Sequence, residues 1–274
     1  MRSEAKTVDN RPIGVMDSGL GGLTFVKEMR RQVPNESIIF LGDEARLPYG
    51  VRPPEEVCQF SYQIAQYLMT FDIKMFVIAC NTATAAALPY LQAQLDIPVV
   101  GVIKPGSTAA VKASNNQQIG VIATQKTIES AAYTQQIHQI NSDERVIGLA
   151  AQELVTLVEQ DQMGTKMAAT EIQQKLTYFE DYQIDTLILG CTHFPLLAPE
   201  IKAAIGPDVK LIDSGVATVE IVNQTLQKLD AKADENNQTF LKLFTTGSAM
   251  QFEKVATKWL EETQLDLNTV ELGE

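Results

Sequence analysis

Short apolar runs alternate with longer helical patterns along the whole chain. The runs fall at residues 13–16, 37–41, 75–79, 99–103, 119–123, 146–149, 186–189, 209–212 and 240–245. They do not alternate strictly between apolar and polar residues, which marks strands covered on both faces rather than half-exposed ones. Most of the intervening stretches carry helical content, as at 55–70 and 165–179. Strands that alternate with helices in this way build a parallel sheet flanked by helices, an α/β architecture.

The pattern repeats once. Ile13-Gly-Val15 echoes Ile119-Gly-Val121, and Met75-Phe-Val-Ile-Ala-Cys80-Asn-Thr82 echoes Thr186-Leu-Ile-Leu-Gly-Cys191-Thr-His193. Asp96-Ile-Pro-Val-Val-Gly101 likewise echoes Asp208-Val-Lys-Leu-Ile-Asp213, so the offsets are 106, 111 and 112 residues. Preserved order with small insertions describes two related α/β halves, not a short-period solenoid. The segment from about Ser214 lies outside the repeat. It adds a helix, a strand ending in Thr245-Thr-Gly247, and another helix. The expected division is 1–100 with a returning 214–274 as the first domain and 101–213 as the second. The pattern alone does not decide that return.

Composition narrows the class. At 274 residues the chain is long enough for two core-bearing domains. Its 45% hydrophobic content fits a globular protein. Acidic residues outnumber basic ones 34 to 22, a net charge of −12, with no long lysine/arginine run. Nucleic-acid binding rests on phosphate neutralisation, so a nucleic-acid partner is not expected. Residues 1–12 are polar and carry no apolar stretch of the signal-peptide kind. No apolar run approaches the roughly 18 residues that cross a bilayer. Three unevenly spaced cysteines make no disulfide framework. A reduced, soluble, cytoplasmic protein without a membrane partner is expected.

Ligands of open parallel sheets collect at the carboxyl ends of the strands. Those tips carry Asp17 and Ser18, then Asp43 with Tyr49 and Gly50 beyond it, then Cys80, Asn81 and Thr82. In the second half they carry Thr124, Cys191, Thr192 and His193. This set of hydroxyls, amides and thiols, with two acids and one imidazole, suits a small polar substrate and proton transfer. A single cysteine at a strand end reads as packing. Two in equivalent settings point to a pair of reactive groups converging on one substrate. Helices follow both, and helix N-termini lower thiol pKa values, which favours thiolates. In the same reading Asn81 and Thr82 supply capping side chains before the helix that follows Cys80. Asp17 is either an N-cap or an acid/base helper facing Cys80. His193 is placed to hold or relay a proton near Cys191. Cys58 and His138 read as ordinary helix residues.

Rival chemistries fit less well. The turn Gly19-Leu-Gly21-Gly22, with Asp43 downstream, resembles a dinucleotide fingerprint, but its third glycine falls at Thr24. A zinc site from Cys80, Cys191 and His193 has no supporting ligand spacing, so no metal is expected. A cysteine–histidine hydrolase leaves one thiol unexplained.

Four segments resemble bacterial glutamate racemases: Val15-Met-Asp17-Ser-Gly-Leu-Gly-Gly22-Leu-Thr24, Leu47-Pro-Tyr49-Gly50, Ala79-Cys80-Asn-Thr-Ala83 and Gly190-Cys191-Thr-His-Phe-Pro195. The likeness extends from Ile13 to the Thr245-Thr-Gly247 tail. The wider superfamily includes aspartate and hydantoin racemases and arylmalonate decarboxylases. The resemblance implies two pseudo-symmetric flavodoxin-like α/β domains with parallel sheets and glutamate bound in the cleft between them. It implies a cofactor-independent two-base reaction, in which Cys80 serves the D-enantiomer and Cys191 the L-enantiomer. Asp17 would assist Cys80 and His193 would assist Cys191. By the same likeness Asp17, Ser18, Tyr49, Gly50, Asn81, Thr82, Thr124, Thr192 and His193 contact substrate. A helper glutamate is either Glu153 or Glu159. The family also implies a homodimer, D-glutamate supply to peptidoglycan synthesis and, in some members, control by a cell-wall precursor. Around Ala150-Ala-Gln-Glu-Leu154 the chain departs from the family's Ala-Cys-Pro pattern. That difference is expected to touch local packing and regulation rather than catalysis.

Overall fold

The computed structural model describes residues 8–273. Residues 1–7 of the polar stretch 1–12 therefore lie outside the described residues. The chain opens with β1 (Ile13–Asp17), α1 (Leu23–Gln32), β2 (Ile38–Gly42), α2 (Pro54–Met69), β3 (Met75–Ile78), α3 (Asn81–Gln94) and β4 (Val99–Gly101). After α4 (Ile103–Ala113) come β5 (Gln118–Ala123), α5 (Gln125–Glu129), α6 (Ala132–Ile140), β6 (Arg145–Ala150), α7 (Gln152–Glu159) and α8 (Lys166–Leu176). The chain then forms β7 (Thr186–Gly190), α9 (Ala198–Ile205), β8 (Lys210–Asp213), α10 (Ser214–Lys228), β9 (Leu241–Thr245), α11 (Ala249–Leu260) and β10 (Asp266–Thr269).

These strands make two sheets, paired in parallel throughout. One runs β10-β9-β2-β1-β3-β4 and the other β6-β5-β7-β8. The orders β2-β1-β3-β4 and β6-β5-β7-β8 are the same, so the repeat read in the sequence is a repeat of topology. The tail strand β9 pairs with β2 in the first sheet. Beyond it β10 extends that edge. No expected strand covers 266–269; Asp266-Leu-Asn-Thr269 is a polar, largely exposed edge with no apolar run to announce it. The expected strand at 99–103 ends early, because α4 begins at Ile103.

Side chains that alternate along a strand feed opposite layers. In the first sheet Val15 packs with α1, α10 and α11 through Val26, Met29, Val222 and Phe252. Its neighbour Met16 packs on the other face with α2 and α3 through Ile64, Leu68 and Leu91. In the second sheet Ile122 and Leu189 face α7, α8 and α9, while Val121 and Ile188 face α4 and α6. Both faces of each sheet are buried, which is why the strands read as unbroken apolar runs. Trp259 of α11 touches both domains' cores. No helix among the described residues is long and apolar enough to cross a membrane.

Candidate active site

The two sheets present their carboxyl ends to each other, and the equivalent strands β3 and β7 end at Cys80 and Cys191. Ser18, Tyr49, Gly50, Cys80, Asn81, Thr82, Thr124, Cys191, Thr192 and His193 all border one narrow cavity. Its volume of about 20 Å³ leaves room for roughly one water. Asp17 does not border it directly and sits behind Thr192.

Asp17 closes β1 and is wholly buried. Its Oδ2 accepts the backbone N–H groups of Gly22 at 2.9 Å and Gly19 at 3.3 Å, pinning the turn that enters α1. From the other domain the Thr192 hydroxyl lies 3.4 Å from each carboxylate oxygen. Burial outweighs these hydrogen bonds and pushes the carboxyl up to about 7. Asp17 is not the N-cap of α1, which is Gly22 without a side-chain cap; it fastens the turn ahead of that helix, and its charge bears on Cys80. Gly21 is required in that turn, because a Cβ there would overlap Thr192 Oγ1 and come within 2.7 Å of His193 Nδ1.

Cys80 is itself the N-cap of α3. Its Sγ accepts the Ala83 N–H at 3.4 Å and donates to Ser18 Oγ at 3.6 Å. Asn81 and Thr82, expected as caps, instead lie in the first helical turn and border the cavity. The Thr82 hydroxyl meets Thr124 at 2.9 Å and Thr127 at 3.2 Å across the domain boundary. Thr124 caps α5. Asn81 Oδ1 accepts the Tyr133 hydroxyl at 2.6 Å, and its Nδ2 is buried without a partner.

Cys191 Sγ stands 3.7 Å from His193 Nδ1. The His193 Nε2 faces Glu159 Oε1, also at 3.7 Å. Glu153 points elsewhere, to Lys175 at 2.5 Å. After Cys191 the helix starts as a 3₁₀ turn at Phe194–Leu197 with Pro195 in its opening positions.

The thiols do not follow the expectation of lowered pKa values. Burial, with the Asp17 charge added, pushes Cys80 up to about 11, against the Ala83 and Ser18 hydrogen bonds. Burial also raises Cys191 against the His193 backbone hydrogen bond, and the Asp17 and Glu159 carboxylates add to the rise. The reason is physical: a narrow, largely buried cavity penalises an isolated thiolate more than one helix terminus rewards it. Burial holds His193 down to about 4, so its imidazole is neutral at pH 7. Glu159 is raised by burial and by nearby Glu44. In the free protein the thiols therefore keep their protons, and each needs an adjacent base to give one up.

The dinucleotide reading fails at Asp43. That carboxylate is fully buried and committed: it accepts the Tyr49 hydroxyl, Arg46 Nε at 2.6 Å and the Thr246 hydroxyl at 2.8 Å. Nothing remains for a ribose. Tyr49 is in turn held protonated by burial and by the Asp43 charge. Among the described residues no three His, Cys, Asp or Glu side chains cluster as a metal site requires.

Gln152 also borders the cavity, and the sequence reading did not mark it. Its one signal was the departure around Ala150–Leu154, read there as a matter of packing; the side chain in fact enters the site.

The description "Asp/Glu/Hydantoin racemase" belongs to a family whose pattern this chain matches over residues 13–222. The chain belongs to that family. Near relatives within it are glutamate racemases. The Latilactobacillus sakei glutamate racemase is 49% identical over 262 residues, 96% of this chain and 95% of that one. The Pediococcus pentosaceus glutamate racemase is 51% identical over 255 residues, covering 93% and 96%. Among solved structures, a glutamate racemase from Bacillus anthracis superposes with a TM-score of 0.93 at 42% identity, covering 98% of this chain and 99% of that one. A Francisella tularensis glutamate racemase crystallised with D-glutamate superposes at 0.89 with 35% identity, covering 97% and 99%. The protein is accordingly a racemase, an isomerase by class, with the two-domain fold of those structures.

Proposed function

We propose that the protein interconverts L- and D-glutamate by a two-base proton transfer at the α-carbon, with Cys80 and Cys191 on opposite faces. The observation that carries this reading is the pair of buried thiols at equivalent strand tips of one cavity, with His193 Nδ1 3.7 Å from Cys191 and the Asp17 charge acting on Cys80. For L-glutamate, the neutral His193 takes the Cys191 proton through Nδ1, and Glu159 across the ring stabilises the resulting imidazolium. The thiolate removes the α-proton while Cys80 delivers one to the other face. For D-glutamate the roles reverse, and ionised Asp17 assists Cys80. Glu159 rather than Glu153 is the helper, since only the former faces His193.

An α-proton of an amino acid is very weakly acidic, so developing negative charge needs stabilisation. Hydroxyls of Ser18, Thr82, Thr124 and Thr192 and the Asn81 amide supply oriented dipoles in a water-poor site, where such dipoles act strongly. That arrangement accounts for the reaction with no pyridoxal ring or metal. The narrow cavity is smaller than glutamate, so the domains part to admit substrate and close again over it. The first domain in this scheme comprises 1–100 and 214–274, the second 101–213, as the two sheets support. The enzyme works as a cytoplasmic homodimer and supplies D-glutamate for peptidoglycan.

Incubation of the purified protein with L-glutamate, without added pyridoxal phosphate or metal, tests the reading. Ellipticity decaying to zero supports it; constant ellipticity with glutamate, whatever happens with aspartate, contradicts it. His193→Asn is expected to slow turnover of L-glutamate about 10²-fold or more, the scale of one general base, and that of D-glutamate far less. Initial rates in each direction check this; equal losses would remove the one-sided role.

Asp17 sets a pH dependence. With its pKa near 7, kcat/KM for D-glutamate rises with pH through about 6 to 8 as the carboxylate ionises. Asp17→Asn flattens that rise and lowers the rate. The same shift has a stability consequence: a raised carboxyl favours the fold fully below 3.8, and that contribution is lost as pH rises through about 7. Asp17→Asn is therefore expected to be no less stable than the parent at pH 8, which thermal melts at pH 5 and 8 check.

A further inference from the structure

Gln152 has no part in the two-base scheme, yet its side chain enters the cavity. It opens α7, and its Oε1 is buried without a hydrogen-bond partner. That oxygen lies so close to Gly50 that a Cβ there would overlap it, and Thr124 Cβ stands 2.8 Å from the same point. The Thr124 hydroxyl is engaged by Thr82 and Thr127 at 2.9 and 3.0 Å. An inward amide oxygen thus finds no donor in the protein. Amide oxygen and nitrogen exchange places by rotation of the last torsion, and partners decide which faces in. Turned over, the amide aims N–H donors into the cavity. Asn81, in the wall of the same cavity, sets the precedent: Tyr133 occupies its Oδ1 and leaves Nδ2 buried and unpaired. Two side-chain amides without protein acceptors suit a ligand rich in anionic oxygens.

We propose that Gln152 is a substrate-binding residue that donates a hydrogen bond to a carboxylate of the bound amino acid. The assignment rests on the glutamate racemisation proposed above. Since this contact is made equally in ground and transition states, it lowers KM and leaves kcat nearly alone.

Gln152→Glu keeps the shape and exchanges the donors for a negative charge; Gln152→Leu only removes them. In the Glu variant KM for both enantiomers is expected to rise at least about tenfold, with kcat within about threefold. The Leu variant shows a smaller rise in the same direction. Calorimetric binding of glutarate, a dicarboxylate without an ammonium group, is weakened in parallel, which reports on the contact apart from turnover. A KM and glutarate affinity unchanged in both variants overturn the assignment. A KM that falls in Gln152→Glu overturns it as well, because the amide oxygen then receives the substrate ammonium. Loss of kcat with unchanged KM also contradicts it. If the parent protein does not turn over glutamate, the racemase reading fails first and this one with it; if the parent is active and the variants bind normally, this one fails alone.

Discussion

Cys80→Ser and Cys191→Ser are each expected to slow interconversion of the glutamate enantiomers by about 10³-fold or more, within the range that one positioned acid/base group contributes. A serine hydroxyl is a far weaker acid than a thiol, so neither Asp17 nor neutral His193 can generate its conjugate base. The fold survives both changes. Serine caps helices well, so Cys80→Ser keeps the Ala83 N–H satisfied. Cys191 takes the His193 backbone N–H, a bond that a serine oxygen keeps. Each variant retains one thiol beside its own helper. Slow exchange of the α-proton with solvent, without inversion, is therefore expected for D-glutamate alone in Cys191→Ser and for L-glutamate alone in Cys80→Ser. Proton NMR in D2O separates exchange from racemisation. Near-parent racemisation by either variant would refute the two-base assignment, and exchange of the opposite enantiomer would reverse which thiol serves which.

The second large effect comes from two glycines that touch the opposite domain. A Cβ on Gly21 would press on Thr192 Oγ1 and on His193, at 2.7 Å from Nδ1 and 2.8 Å from Cε1. A Cβ on Gly50 would press on Gln152 and on Thr124, at 2.8 Å from Cβ and 3.0 Å from Cγ2. The partners cannot all yield cheaply. Thr124 is fixed as the cap of α5, and His193 lies between Cys191 and Glu159. Neither glycine has a positive φ, so alanine costs no backbone strain in an isolated domain. The substitution instead wedges the domains apart by a fraction of an ångström to an ångström. Misplacement on that scale costs about 10²-fold. Gly21→Ala and Gly50→Ala are each expected to lower kcat/KM by about that factor while the melting temperature stays near that of the parent. Parent-like kinetics would mean that the closed arrangement is not the reactive one.

How much of this was legible in the sequence depended on what each feature needs from the fold. The cysteine tips were legible because a strand buried on both faces announces itself and the residues after it sit at the sheet's carboxyl edge. The internal echo disclosed that β3 and β7 are equivalent strands of the two sheets, since equal topologies carry equal patterns. Four features were not legible, each for its own reason. The strand β10 is a polar edge, and an edge need not be apolar to pair. That Glu159 rather than Glu153 faces His193 depends on how α7 is rotated, and six residues along a helix leave that open. The direction of the thiol shifts was misjudged, because a helix terminus is visible in sequence whereas closure of a cavity by a second domain is not. The entry of Gln152 into the site depends on the same approach of the domains, since its buried Oε1 lies against Gly50 of the other domain.

The central claim is that two groups, not one, handle the α-proton. Early turnover of L-glutamate in D2O tests it most directly, with product and remaining substrate separated and the α-hydrogen of each measured. Two opposed thiols predict D-glutamate that carries deuterium from its first appearance, because its proton comes from solvent-exchanged Cys80, while unreacted L-glutamate stays protiated. Product that retains the substrate's own proton, or deuterium that builds up in L-glutamate as fast as D-glutamate forms, would show a single base working on both faces and would contradict the account.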